Sequence, residues 1–194
     1  MKKYLVFVKA ETTGLPNFAA PSGDESQPHI VQFAALKVDP EARLPIASIN
    51  AIIKPDGWDI PPEASNIHGI TVNHAMMHGV SESEVIAEFA VMIAMGEEII
   101  CHSSAFMGKI LRTAAKRYLG DQIADEWKER GLTCTAKLTK EIVRIPAAKT
   151  GYKLPTLEQA YSHFTGKELI AKNNAMICAD AIREVYFAYQ DLLK

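Results

Sequence analysis

The sequence predicts an α/β domain on a mixed, five-stranded sheet flanked by helices, and three observations carry that reading. Three short runs rich in Val, Ile, Phe and Leu, at 4–10, 30–38 and 49–53, come first and are bounded by Gly, Pro, Asp or Asn. From Ser81 onward the apolar period changes from that of strands to that of helices. Two more short apolar runs, 99–101 and 132–135, then interleave with the helices, which is the pattern of a sheet covered by crossover helices.

Each element follows from its residues. The first three strands are joined by loops and should form a meander, with the loop-like, mobile segment "FAAPSGDESQP" (18–28) after the first and the turn-rich "KPDGWDIPP" (54–62) after the third. Ser81 and Glu84 are spaced as a capping box ahead of Val85, Ile86, Phe89, Met92 and Ile93 on one helical face. A helix at 105–119 carries Lys109, Arg112 and Lys116 on a shared face. Further helices are expected at 136–144, at 156–164 before Gly166, and from Asn173 to the C-terminus.

With 194 residues and 48% hydrophobic content the chain fits one domain, 1–194, with a single core. Its formal charge of -2 argues neither for nor against a polyanionic partner. Distribution is more telling: Pro55 to Gly108 contains no Lys or Arg, whereas Lys109 to Lys153 holds eleven of them against five acids. Cys101, Cys134 and Cys178 are odd in number and form no C-x-x-C pair, which suits reduced thiols in the cytoplasm. The apolar run after the first three residues is too short for a signal-peptide core, and no stretch approaches a membrane span.

Seven segments in order are more specific: "ETTGLP", "HIVQFAALKVD", "IIKPDGWDIPPEASNIHGIT", "CHSSAFMGKIL", "LTCTAKLT", "GYKLPTLEQAYSHFTGKEL" and "NNAMICADAIREVYF". Together they resemble the DnaQ-like (DEDDh, RNase T-like) 3′-to-5′ exonucleases, over nearly the whole chain. The resemblance implies a ribonuclease H-like fold, and a site where four carboxylates hold two divalent ions while a histidine activates water. Two hard cations need anionic oxygen ligands, because together they stabilise the attacking and the leaving oxygen.

Set against that pattern, the residues here depart at four of five positions. Asp-x-Glu-Thr-Thr-Gly becomes Lys9-Ala10-Glu11-Thr12-Thr13-Gly14, His-Asn-x-x-Phe-Asp becomes His102-Ser103-Ser104-Ala105-Phe106-Met107, and His-x-Ala-x-x-Asp becomes Asn173-Asn174-Ala175-Met176-Ile177-Cys178. Glu11 is the only retained ligand, so no metal or other cofactor is expected. Residues two apart on a strand share a face, which places the Lys9 ammonium beside the Glu11 carboxylate in the role of a metal. Asp180, two residues past Cys178, is turned away by roughly 200° on a helix. His102, His68 and Glu184 remain as protic groups.

For binding, the resemblance implies that Thr12, Thr13, Gly14 and Leu15 contact a terminal nucleotide, with Phe106 beside them. Lys9, Lys109, Arg112 and Lys116 are read as phosphate contacts. Trp58 and His68 should brace the loop beside the cleft. His74 and His78, at i and i+4, lack a third metal ligand and read as a surface turn. The expected function is a catalytically degenerate exonuclease-like protein that binds single-stranded nucleic acid ends or a protein partner. The alternatives are an active exonuclease with a rearranged site, using Mg or Mn, and a protein-interaction scaffold with no nucleic-acid role. The resemblance is compatible with a homodimer.

Overall fold

The computed structural model describes residues 3–194. Its sheet has the order β3-β2-β1-β4-β5. Here β1 is Leu5–Thr12, β2 is Ile30–Val38, β3 is Pro45–Ile52, β4 is Glu98–Cys101 and β5 is Thr133–Cys134. The first three form the expected antiparallel meander, whereas β4 pairs parallel to β1 and β5 parallel to β4. The helices are α1 (Pro62–His68), α2 (Val72–His78), α3 (Glu82–Met92), α4 (Ser104–Tyr118), α5 (Asp121–Arg130), α6 (Thr135–Val143), α7 (Leu157–Thr165) and α8 (Ala175–Asp191).

The period of two in β1 divides the core between the two faces of the sheet. Val6, Val8 and Ala10 pack with Val85, Phe89, Ile110 and Ala114 of α3 and α4, while Leu5 and Phe7 pack with Cys178, Ile182 and Phe187 of α8. The ring of Phe33 meets Phe89 edge-on at 5.1 Å, and Phe7 meets Tyr186 at 5.6 Å. Continuing the odd-numbered face of β1 beyond Phe7 brings Lys9 and Glu11 out at the end of the strand, on the side of α8. β2 is covered on both faces, which is why its sequence is almost continuously apolar.

Several elements differ from expectation for identifiable reasons. β3 begins at Pro45 rather than at residue 49, because its exposed first four residues on the sheet edge lack apolar alternation. α1 and α2 are helices where the sequence reads as a loop around His68 and a surface turn at His74 and His78. Pro in the first turn and Gly69 at φ 76° bound α1, and the Thr71 side chain caps α2 by accepting from the His74 amide at 3.2 Å. His74 and His78 therefore sit one turn apart on α2, with ring centroids 4.7 Å apart. Gly79 ends α2 against the chain after β3: a Cβ there would lie 2.3 Å from the Ala75 carbonyl oxygen and 2.5 Å from the Lys54 nitrogen. Only glycine fits. α5 was not expected, since Ala124 is its single fully buried residue and leaves no apolar stripe.

Ser81 does occupy the N-cap position of α3, yet its hydroxyl bonds to Ser83 and makes no cap bond. Its neighbour Glu82 is buried instead. The Glu82 carboxylate accepts from the Ile30 amide (3.0 Å), the Tyr118 hydroxyl (2.8 Å) and His29 Nδ1 (2.8 Å). Trp58 braces this cluster by stacking on His29 at 4.6 Å. The 18–28 segment is tied down rather than loose. Gln27, 2% exposed, donates to the carbonyls of Asn17 and Pro21, while Lys109 Nζ donates to Ala20 O at 2.6 Å and Arg117 to the carbonyls of Gln27 and Pro28. Among the described residues no helix is long and apolar enough to cross a membrane.

Candidate functional site

A cleft of about 420 Å³ opens where β1 ends against the start of α8, and its walls include Lys9, Glu11, Glu158, Lys172, Asn173 and Cys178. Lys9 Nζ lies 2.5 Å from Glu11 Oε1 and 3.0 Å from the Ala10 carbonyl, so strand alternation delivers the ion pair that it predicts. Glu11 faces Gln32 in register across β1 and β2, and Gln32 Oε1 accepts from the Ala175 amide at 3.0 Å. That bond sets the start of α8 beside the pair. The Asn174 side chain caps the helix through the amides of Met176 and Ile177, leaving Asn173 exposed at the cleft mouth and Cys178 buried at its floor.

Cys178 is a donor rather than a ligand. Burial pushes its thiol up to about 11, with Lys9 pulling it down and Glu11 and Glu158 pushing it further up. Its Sγ points to the Lys172 carbonyl at 3.1 Å. Cys101 is likewise raised by burial, to about 12, and all three cysteines are free and buried. Thiol-disulfide reagents at pH 8 should therefore modify the folded protein very slowly and the urea-unfolded chain rapidly. A folded-state burst of one thiol per chain would contradict this assignment. Because the thiol pKa is raised on folding, its contribution to stability is present below about pH 9 and is lost as pH climbs towards 11.

The remaining predicted residues divide sharply. Met107 does not reach the cleft; it is 2% exposed in the core with Val8 and Ala10, on the opposite face of the sheet from Lys9. His102 is structural, donating from Nε2 to the Pro155 carbonyl and accepting at Nδ1 from Thr135, both at 2.9 Å, and burial lowers its pKa. His68 is also buried and shifted down, mainly by desolvation; its Nδ1 accepts from the Ile70 amide at 3.1 Å, bracing the loop as expected. Asp180 pairs with Arg183 at 2.7 Å, and neither it nor Glu184 lines the cleft.

In the turn after Glu11, the Thr12 hydroxyl donates to the Gly14 carbonyl (2.7 Å), and Thr13 exchanges two hydrogen bonds with the His29 backbone. The Thr13 amide is therefore occupied, while Leu15 projects at 86% exposure. Phe106 is partly buried against the α3–α4 core. The three cations of α4 are engaged within the fold: Lys109 with Ala20, Arg112 with Asp125 at 2.7 Å, and Lys116 with Asp121 at 2.5 Å. Sequence reasoning missed the second ion pair of the cleft, Lys172–Glu158 at 3.5 Å, and the apolar wall of Ile67, Leu157 and Leu169. Their segments were visible, but only the tertiary fold brings 158 to 172.

This donor set does not fit a pair of divalent ions. The one carboxylate at the end of β1 has an ammonium on its oxygen, the position held by Cys178 presents a protonated thiol, and Met107 is sequestered across the sheet. Lys9 and Lys172 against Glu11 and Glu158 leave the cleft with no formal charge. Among the described residues no three His, Cys, Asp or Glu side chains converge as a metal-binding group.

The mixed sheet, the flanking helices and the cleft at the end of β1 define a domain with the ribonuclease H-like architecture of the DnaQ-like 3′-to-5′ exonucleases. The chain belongs to the exonuclease family of RNase T, whose family model matches residues 6–168. Among solved structures it is similar to a product-bound exonuclease I (TM-score 0.73, 20% identity, 98% of this chain and 44% of that one). It is also similar to exonuclease I from Methylocaldum szegediense (TM-score 0.73, 22% identity, 97% and 40%). A third is E. coli exonuclease I in complex with a dT13 oligonucleotide (TM-score 0.72, 22% identity, 97% and 40%). The chain thus spans less than half the length of these structures. No curated protein matches it significantly.

Proposed function

We propose that this protein is an exonuclease-family domain that holds the end of a single-stranded nucleic acid, in a reducing cytoplasm, without cutting it. The Lys9–Glu11 ion pair is the observation that carries this reading. It supplies one fixed positive charge where hydrolysis in this family requires two divalent ions, and it neutralises the carboxylate that would recruit them. The Lys9 ammonium has three donors, of which Glu11 and Ala10 take two, so one N–H is left for a phosphate oxygen. Asn173 has no proton to exchange near neutral pH and Cys178 holds its proton, so neither residue at these two family positions can activate water. Leu15, exposed four residues after Glu11, offers an apolar surface to a terminal base. The E. coli relative in complex with dT13 supports a single strand as the ligand class.

The reading is tested on one substrate, a 5′-labelled single-stranded oligonucleotide, with cleavage and binding followed together in EDTA, Mg and Mn. The expected result is binding in all three and cleavage in none, with Lys9→Ala weakening the binding. Cleavage in Mn that disappears in Glu11→Gln would overturn it.

A further inference from the structure

The eleven cations between Lys109 and Lys153 are not equivalent once the fold is known. Those up to Arg117 are consumed by Asp121, Asp125 and the carbonyls of the 18–28 segment. Arg130 donates to the carbonyls of Ile93 and Glu97. Lys128 is exposed and acts on Asp125 through charge alone, and the rest of the unspent charge lies further on. From Lys137 to Lys153 the chain carries five cations and one acid, net +4 in a molecule of formal charge -2. Lys137, Lys149 and Lys153 are exposed and, among the described residues, make no ion pair or side-chain hydrogen bond.

Local structure gathers these groups. Arg144 closes α6 in the left-handed region at φ 54°, and the chain then folds into a hairpin with Pro146 opposite Tyr152. Two backbone bonds hold it, Lys153 N to Ile145 O at 2.9 Å and Ala147 N to Gly151 O at 3.1 Å. Arg144, Lys149 and Lys153 therefore share one hairpin, and the Arg144 guanidinium lies 5.9 Å from the centre of the half-buried Tyr152 ring.

The hairpin stands at the end of a groove that begins in the cleft. A depression of about 890 Å³ runs from Val143 and Ile145 to Glu158, Leu169, Lys172 and Asn173, and these last four also line the cleft with Lys9 and Glu11. Glu158 is neutralised by Lys172, while Glu168 in the groove wall opposes an anion. The cations of the hairpin outnumber that single carboxylate.

We infer that the hairpin at 145–153, with Arg144, is a binding surface for the sugar-phosphate backbone of a single strand whose terminal nucleotide occupies the cleft. This rests on the cleft reading given under Proposed function. Phosphates pass along Arg144, Lys149 and Lys153, and Tyr152 supplies an aromatic face for a base.

The test compares a trinucleotide, which reaches only the cleft, with a dodecanucleotide of deoxythymidine. Affinities for wild type and for Lys149→Gln/Lys153→Gln are measured by fluorescence anisotropy from low to physiological salt. Both lysines are exposed and unpaired, so the double variant keeps its fold, which circular dichroism verifies. The expected result is an affinity for the dodecamer lowered about tenfold, with the slope of log K against log salt reduced by about 1.4, at roughly 0.7 per phosphate contact on a single strand. Affinity for the trinucleotide should stay unchanged. Equal dodecamer affinity and slope in the two proteins would overturn the hairpin as a binding surface. Failure of the wild type to bind either length at low salt would overturn the reading of the cleft itself.

Discussion

Lys9→Asp is expected to turn a protein whose melting temperature ignores manganese into one that depends on it. In wild type the ammonium sits 2.5 Å from Glu11, with side chains 25% and 12% exposed. The substitution leaves two carboxylates on adjacent positions of one strand face, so in EDTA the variant loses the pair and gains a like-charge repulsion. For a partly exposed pair that costs about 1–3 kcal/mol, roughly 2–12 °C in a chain of this size. Manganese at about 100 times its dissociation constant should return about 2.7 kcal/mol, since it binds the folded variant alone. Calorimetry in EDTA and in manganese reads both effects. An equal manganese shift in wild type would show that the ammonium does not exclude the ion.

The second large effect is expected at Glu82, far from any chemistry. Glu82→Ala removes the acceptor shared by the Ile30 amide, the Tyr118 hydroxyl and His29, and all three are left around a site that is 4% exposed. A loss of about 3–5 kcal/mol is expected by urea denaturation, against about 1–2 for Glu82→Gln, whose amide oxygen still accepts. The damage should reach the cleft turn. His29 is the residue whose backbone exchanges hydrogen bonds with Thr13, so amide exchange at Thr13 should accelerate in Glu82→Ala. Similar losses below 1 kcal/mol in both variants would mean that the buried carboxylate holds nothing together.

How far these features were legible in the sequence depends on the range of the interactions involved. β1, β2, α3, α4 and α8 announce themselves because a buried face leaves a period in the residues. α5 leaves none, having one fully buried residue, and α1 and α2 are each only seven residues long. At the site, Lys9 beside Glu11 follows from strand alternation, and Asn173 with Cys178 follows from the motif they occupy. Met107 could not be placed that way: its position in the motif points to the cleft, whereas its apolar side chain joins the core across the sheet. The largest misreading concerns charge. A helical wheel puts Lys109, Arg112 and Lys116 on one free face, but their partners come from α5 and the segment before β2, which no local pattern reveals. The hairpin cations, which carry the same formal charge, were counted without being distinguished.

The Lys9–Glu11 contact also changes what kind of quantity governs the cleft. A bound metal is a solute, and its occupancy rises and falls with free concentration, chelators and competing ions. The Lys9 ammonium is attached to the same strand as its partner, so its effective concentration is set by covalent geometry and cannot be diluted. Neutralisation of Glu11 is thereby written into the polypeptide and does not depend on the concentration of any free metal ion.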